Sequence, residues 1–287
     1  MLLLVALLLW CGATHAEAWI FTDDSGVSTS FDAPPQRVIS LSPNLTELAY
    51  TAGLGSRMVA VSAYSDYPPE AKKLPQVGDA FRLDWERIVA LKPDLVLAWA
   101  SGLSARDRAM FEKLKLKILV LEQRNLEDIP KSLRALGRLS NSESVAENAA
   151  LEFEQQRDDI LRMYSDRSMV RIYFQIAATP QLTINGKHII SDVLRLCGAH
   201  NVFASAPLLV PAISDEALVQ AQPQIMLGMA TTFEEEEKIR LSWRKLPIIA
   251  VQQGRMGFVH PDLVSRATSR ILLGARLICE QVDAVRR

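Results

Sequence analysis

Two glutamates, Glu86 and Glu216, sit 130 residues apart in the same local grammar. Glu86-Arg-Ile-Val-Ala-Leu-Lys-Pro93-Asp-Leu-Val-Leu-Ala-Trp99 reads as a short helix, a proline break and a buried strand. Glu216-Ala-Leu-Val-Gln-Ala-Gln-Pro223-Gln-Ile-Met-Leu-Gly-Met229 repeats it without insertion. Helix-Pro-strand units do recur by chance in α/β proteins. Here acid, apolar positions and proline all stay in register, which implies two lobes of related build with a carboxylate at the same place on each. Two facing lobes make a cleft, and clefts bind ligands. Tyr64-Ser-Asp66-Tyr67-Pro68-Pro69 follows a strand ending near Ser62, and loops beyond strand ends are where ligands sit. Its two tyrosines offer flat apolar faces tipped with hydroxyls, or else pack over the Pro-Pro turn.

Catalytic and metal chemistry find little support. Gly53-Leu-Gly55 follows a helix instead of opening one, and Met58 stands where a dinucleotide fingerprint needs its third glycine. There is no nucleophile elbow, phosphate loop or His-Glu-x-x-His. Beyond residue 16 the histidines are His188, His200 and His260, without metal-ligand spacing; His200 lies near Cys197, but two ligands make a weak site. With 32 basic and 33 acidic side chains, net charge −1, nothing attracts nucleic acid or an anionic membrane surface.

The elements that must position these residues alternate. Strand patterns at 37–41, 58–62, 95–99 and 118–121 interleave with helices, one opened by Ser42 as N-cap and Pro43 at the first helical position, another over 104–114. Ahead of them, residues 19–31 read as a small hairpin turning near Asp24-Ser25-Gly26. The second half alternates likewise: strand 170–176, helices 189–197 and 214–221, strand 225–229, helix 233–243, strands 248–251 and 257–260, and a closing helix 264–285. The four acids from Glu234 to Glu237 read as a solvated helix face. Alternation of this kind predicts parallel α/β sheets. Between the halves, Val145, Ala149, Phe153, Ile160 and Tyr164 mark the stripe of one long amphipathic helix, roughly 35 Å of stiff strut. The expected divisions are a signal peptide over 1–16, an α/β lobe over 17–140, a linking helix over 141–165 and a second lobe over 166–287.

The signal reading rests on the apolar run from Met1 to Trp10, too short to span a bilayer, with cleavage after Ala16 or Ala18. A lipid on Cys11 is disfavoured by Trp10 before it. Export would leave Cys197 and Cys279 in an oxidising compartment, either bridged or as two buried free thiols.

Arg37-Val-Ile-Ser-Leu-Ser-Pro43, Thr46-Glu47-Leu, Tyr64-Ser-Asp-Tyr-Pro-Pro69 and Glu86-Arg-Ile-Val-Ala-Leu-Lys-Pro-Asp94 together resemble the helical-backbone substrate-binding proteins of ABC importers. These carry cobalamin, haem or ferric siderophores in the periplasm, and the likeness is densest to the cobalamin branch, from about residue 36 to the C-terminus. The resemblance implies two Rossmann-like lobes joined by one long rigid helix, a Cys197–Cys279 disulfide, and one glutamate per lobe, Glu86 and Glu216, meeting arginines of the permease. It implies cobalamin as transported ligand with no resident cofactor or metal, a monomer before docking, and a permease with its ATPase as partners. Its ligand contacts carry over to Tyr64, Trp99 and the segment Asp262, Leu263, Val264, Ser265 and Arg266. Here the sequence departs from the family: two aromatics have become Leu263 and Val264, and two expected tryptophans are Val210 and Ala80. A haem carrier would want Tyr64 or His260 as axial ligand. A siderophore carrier would want inward cations, for which Arg82 and Arg266 are candidates. An exported enzyme would instead need perturbed acids and a nucleophile in the cleft.

Overall fold

The computed structural model describes residues 19–287. The signal-peptide reading of residues 1–16, with Cys11, Ala16 and Ala18, lies outside the described residues. Among the described residues no helix is long and apolar enough to cross a membrane.

A hairpin comes first, β1 (Trp19–Thr22) against β2 (Ser28–Phe31). Buried Asp23 builds its turn: one carboxylate oxygen accepts from Ser25 N and Val27 N, the other from Val120 N of the first lobe. That lobe runs β3 (Val38–Ser40), α1 (Pro43–Thr51), β4 (Met58–Val61), α2 (Trp85–Ala90), β5 (Leu95–Trp99), α3 (Ala105–Lys113) and β6 (Ile118–Leu121). Two helices follow, α4 (Asp128–Ser140) and α5 (Glu143–Tyr164). The second lobe contains β7 (Val170–Gln175), a small hairpin of β8 (Ala177–Ala178) and β9 (Gln181–Leu182), α6 (Ile189–Leu196), β10 (Ala199–Asn201), α7 (Asp215–Ala221), β11 (Ile225–Met229), α8 (Phe233–Trp243), α9 (Ile249–Gln252), β12 (Met256–Val259) and α10 (Ile271–Ala284). The sheets are parallel, ordered β4-β3-β5-β6 and β10-β7-β11-β12. Numbered in chain order within each four-stranded sheet, both read 2-1-3-4.

The repeat extends to the bonds that hold it. Asp84 caps α2 by accepting from Arg87 N at 3.0 Å, and Ser214, 130 residues on, caps α7 by accepting from Ala217 N at 3.3 Å. Beyond the helices, Lys92 and Gln222 both turn left-handed, at φ 47° and 40°. Arg37 donates to the carbonyls of Leu91 and Lys92, and Arg171 to those of Ala221 and Gln222. Asp94 and Gln224 then accept from Arg37 N and Arg171 N, both at 2.9 Å. Glu86 and Glu216, both exposed, therefore project from equivalent first helical turns.

One buried apolar cluster crosses the molecule, from Leu45, Leu48 and Leu97 through Leu133, Ala146 and Phe153 to Ile172, Phe174 and Leu227. The lobes thus share a core, and the 22-residue α5 spans it over roughly 33 Å. Its buried stripe is Ala146, Ala150, Phe153 and Ile160, turned from the expected one so that Val145 is 49% exposed. The cause is α4, unmarked in the sequence reading. A Cβ on Gly137 would stand 2.3 Å from that of Ala146, so glycine there lets the helices close on Ala146. Arg134 of α4 adds forked bonds to Glu147 and Glu154 of α5. Those bonds raise its pKa and lower those of both glutamates.

Three local expectations change, and three short strands are added. Residues 248–251 belong to α9 and its cap, not a strand, because β12 already occupies the edge beside β11. Short apolar runs do not separate buried helix from strand. The closing helix begins at Ile271, not 264, after a 3₁₀ turn at Pro261–Leu263. The short strands β8, β9 and β10 carry too few residues for a pattern. Pro43 does open α1, but Ser42 contributes its carbonyl, accepting from Thr46 N and Oγ1, and no side-chain cap.

Cys197 and Cys279, both fully buried, form a disulfide with Cα atoms 4.7 Å apart, tying the end of α6 to α10. Closing an 82-residue separation restricts the unfolded chain by roughly 4 kcal/mol in the entropic picture. Mass measured under denaturing, non-reducing conditions is expected to lack two hydrogens, and replacing both cysteines by alanine to lower stability by about 2–4 kcal/mol. Two free thiols would contradict the bridge. His188 caps α6, its Nδ1 accepting from Ile190 N at 3.2 Å, and burial pushes its pKa from 6.5 down to about 4. The unfolded chain takes up that proton first, so stability present above pH 6.5 is lost as pH falls towards 4, on the order of 3 kcal/mol. His188→Asn, which keeps a cap without a titrating ring, is expected to flatten the stability–pH profile in that window.

Candidate functional site

The carboxyl ends of the two sheets face each other, because the loop after β4 touches the loop after β12. Arg266 Nη2 donates to the Tyr64 carbonyl at 3.2 Å, and Arg266 Nη1 to Asp66 at 2.6 Å. In parallel α/β sheets this end is where ligands gather. The Tyr64 loop is seated on its own lobe by Ser65, whose hydroxyl lies 3.0 Å from Thr46 Oγ1 and 3.2 Å from Ser62 Oγ. Tyr64 is left-handed, φ 64°, and its side chain stands clear, with the residue 78% exposed.

Beneath that contact lies a buried ion cluster. Glu47 sits on α1 among Leu45, Leu48 and Ala49, with its side chain 3% exposed. Its Oε1 accepts from Arg266 Nη1 at 3.0 Å and Arg270 Nη2 at 2.6 Å. Its Oε2 accepts from Arg270 Nε and Thr268 Oγ1, both at 2.9 Å. Asp262 lies 3.0 Å from Arg266 Nη2, and the Arg270 guanidinium stacks 4.1 Å from the Tyr67 ring centroid. The hydrogen bond to Glu47 raises the Arg270 pKa despite burial. Burial pulls Arg266 down, but Asp66 and Glu47 outweigh it and the net shift is upward. Burial would likewise raise Asp66, yet Arg266 holds it below the usual carboxylate range. Three carboxylates thus face two guanidiniums, and neither guanidinium is left without a carboxylate partner.

Of the residues singled out in the sequence, Tyr64, Asp262 and Arg266 come together here. Ser265 is exposed and its hydroxyl lies 3.2 Å from the Met229 sulfur at the end of β11. Leu263 packs against the edge of the shared core. Val264 is fully buried, close against Gly274 of α10, so this side chain has no surface to offer a ligand. A residue small enough for the core occupies what the resemblance treats as a contact position. Trp99 stands apart at the end of β5, 37% exposed, its indole donating to Glu122 at 3.0 Å. Further exposed apolar side chains follow the strands: Phe81 after β4 at 98% exposure, Leu208 and Leu209 after β10 at 64% and 49%, and Phe233, the first residue of α8 after β11, at 76%.

The sequence reading overlooked Glu47, Asp66, Thr268 and Arg270 as a group. One signal was available: an acid inside the apolar stripe of α1 must be buried, and a buried carboxylate requires cations. Which cations answer it depends on the fold, since they lie about 220 residues away. His260 is 46% solvent-exposed by side chain, with Nδ1 accepting from Asp262 N. Among the described residues no group of three or more His, Cys, Asp or Glu is arranged to hold a metal ion.

Residues 38–256 match the family model described as periplasmic binding protein. The chain is 38% identical over 263 residues to the vitamin B12-binding protein of Pectobacterium carotovorum, covering 90% of this chain and 92% of that one. It is 34% identical over 250 residues to that of Vibrio cholerae, with 86% and 88% covered. A crystal structure of the periplasmic vitamin B12-binding protein of Vibrio cholerae superposes with a TM-score of 0.81 at 33% identity, over 88% of this chain and 99% of that one. A periplasmic haem-binding protein from Pseudomonas aeruginosa, 23% identical with a TM-score of 0.75 over 86% and 92%, shares the fold. On the matched span and on identity across nine-tenths of its length, the chain belongs to the periplasmic binding protein family.

Proposed function

We propose that this protein captures cobalamin in its interlobe cleft and delivers it to an ABC importer of the inner membrane. The observation that carries the reading is the charge where the lobes meet: of the arginines there, Arg266 and Arg270 are already paired to Glu47, Asp66 and Asp262, while Tyr64 stands exposed beside them. Arg82, on the first lobe, is exposed without an ion pair among the described residues. A ferric siderophore, or haem with its propionates, is anionic and would want free inward cations. Cobalamin presents a broad, amide-fringed macrocycle of low charge, suited to flat apolar walls. Its relatives named for vitamin B12 agree with that chemistry.

In this reading Tyr64, Trp99 and the Asp262–Arg266 segment line the site, without the Val264 side chain. Phe81, Leu208, Leu209 and Phe233 supply apolar wall where aromatics were expected at Ala80, Val210, Leu263 and Val264. The protein acts in the periplasm and catalyses no reaction; the partner ATPase provides the energy of transport. Glu86 and Glu216 meet basic groups on a two-fold permease, each held out by the same cap and clamp. Hydrogen bonding from Ser214 keeps the Glu216 pKa low, so that acid is charged when it docks. Glu86 also borders an open hollow of about 1040 Å³ that reaches from Phe81 and Arg82 to Arg87 and Asp107. Exposed acids of this kind steer and register docking more than they supply affinity.

Calorimetric titration with cyanocobalamin is expected to give one-to-one binding, with haem as a weakly bound or unbound control. Tyr64→Ala is expected to raise the dissociation constant about tenfold through loss of an aromatic face. An unchanged constant would remove Tyr64 from the site, and no binding by folded protein would refute cobalamin as cargo. Alanine at both Glu86 and Glu216 is expected to leave that constant unchanged while impairing uptake through the reconstituted importer. Undiminished uptake would rule out the docking role.

A further inference from the structure

We propose that Glu47 is a positioning residue for ligand capture: acting through Arg266 and Arg270, it fixes the Tyr64 loop against the opposite lobe. The ligand part of this proposal rests on the cobalamin reading above; the geometry does not.

Glu47 itself is too buried to meet a ligand, with 3% of its side chain exposed. Every side-chain donor to its carboxylate comes from the far lobe: Arg266, Thr268 and Arg270. Arg266 is shared, since the guanidinium that binds Glu47 also donates to Asp66 and to the Tyr64 carbonyl. The Tyr64 ring has little packing to hold it, so its place is inherited from its backbone. That backbone is left-handed at a non-glycine residue, a conformation that persists only where surroundings impose it. Two grips impose it here. Thr46, next to Glu47 on α1, meets Ser65 at 3.0 Å, and Arg266 holds the carbonyl from across the cleft. Arg270 secures the far end of the same loop by stacking on Tyr67. Removing the Glu47 charge would leave two buried guanidiniums competing for Asp66 and Asp262, and the loop would lose its reference to the second lobe.

The test is a double-mutant cycle on cyanocobalamin binding between Glu47→Gln and Tyr64→Ala, with amide hydrogen exchange of the ligand-free proteins. Glu47→Gln is expected to weaken binding about tenfold, and Tyr64→Ala to add little on top of it, because an unpositioned ring has little left to lose. Glu47→Asp, which keeps the charge, is expected to restore most of the affinity. Without ligand, amides in 62–67 and 262–268 are expected to exchange about tenfold faster in Glu47→Gln, with β3 and β7 unchanged. Penalties that simply multiply, or exchange unchanged in both segments, would overturn the proposal. If the parent protein binds no cyanocobalamin, the cargo reading fails and exchange alone decides the positioning role. Should Glu47→Gln not fold, Arg266→Lys takes its place in the same cycle, keeping a charge while losing the fork.

Discussion

A carboxylate buried between two lobes demands cations, and here both cations come from the far lobe. Glu47 rides on α1 of the first lobe, while Arg266 and Arg270 lie just before α10 in the second. Taking these charges out of water is expensive, and only the full set of forked and hydroxyl bonds offsets it. The cluster therefore tolerates one relative placement of the lobes well and others poorly. By consuming both guanidiniums it leaves neither Arg266 nor Arg270 unpaired where the lobes meet.

Other features act in the same direction. The apolar core runs without a break from one sheet to the other, α4 and α5 pack closely through Gly137 and Ala146, and a disulfide locks α6 to α10. A cleft between lobes joined this way is largely formed before the ligand arrives, which lowers the ordering that binding must impose. The same stiffness serves the outer face. Glu86 and Glu216 can mark a fixed span for a partner only if the bodies carrying them keep their spacing. Matched caps at Asp84 and Ser214, left-handed turns at Lys92 and Gln222, and arginine clamps at Arg37 and Arg171 hold each helix identically.

Much of this was legible in the sequence because it is local and periodic. The glutamate repeat, the proline breaks and the apolar runs identified both helix–strand units and the long helix between the lobes, and the family motifs carried the fold and the cysteine pair. What stayed hidden depends on distant neighbours. The 248–251 run has strand composition, yet the place beside β11 belongs to β12. Val264 stands in a contact motif, yet lies against Gly274 in the core. Glu47 was visible as part of a motif, but its meaning comes from residues brought to it by the folding of the whole chain. Short strands such as β10 carry too few residues for any pattern to emerge.

The most direct measurement is a crystal structure with cyanocobalamin bound. The account predicts the corrin in the interlobe cleft, its face against Tyr64 and its far side against the Leu208–Leu209 loop and Phe233 at the start of α8. It also predicts Glu47 still 3.0 Å from Arg266. A corrin bound elsewhere would contradict the account, as would a Glu47–Arg266 pair pulled apart so that arginine meets the ligand.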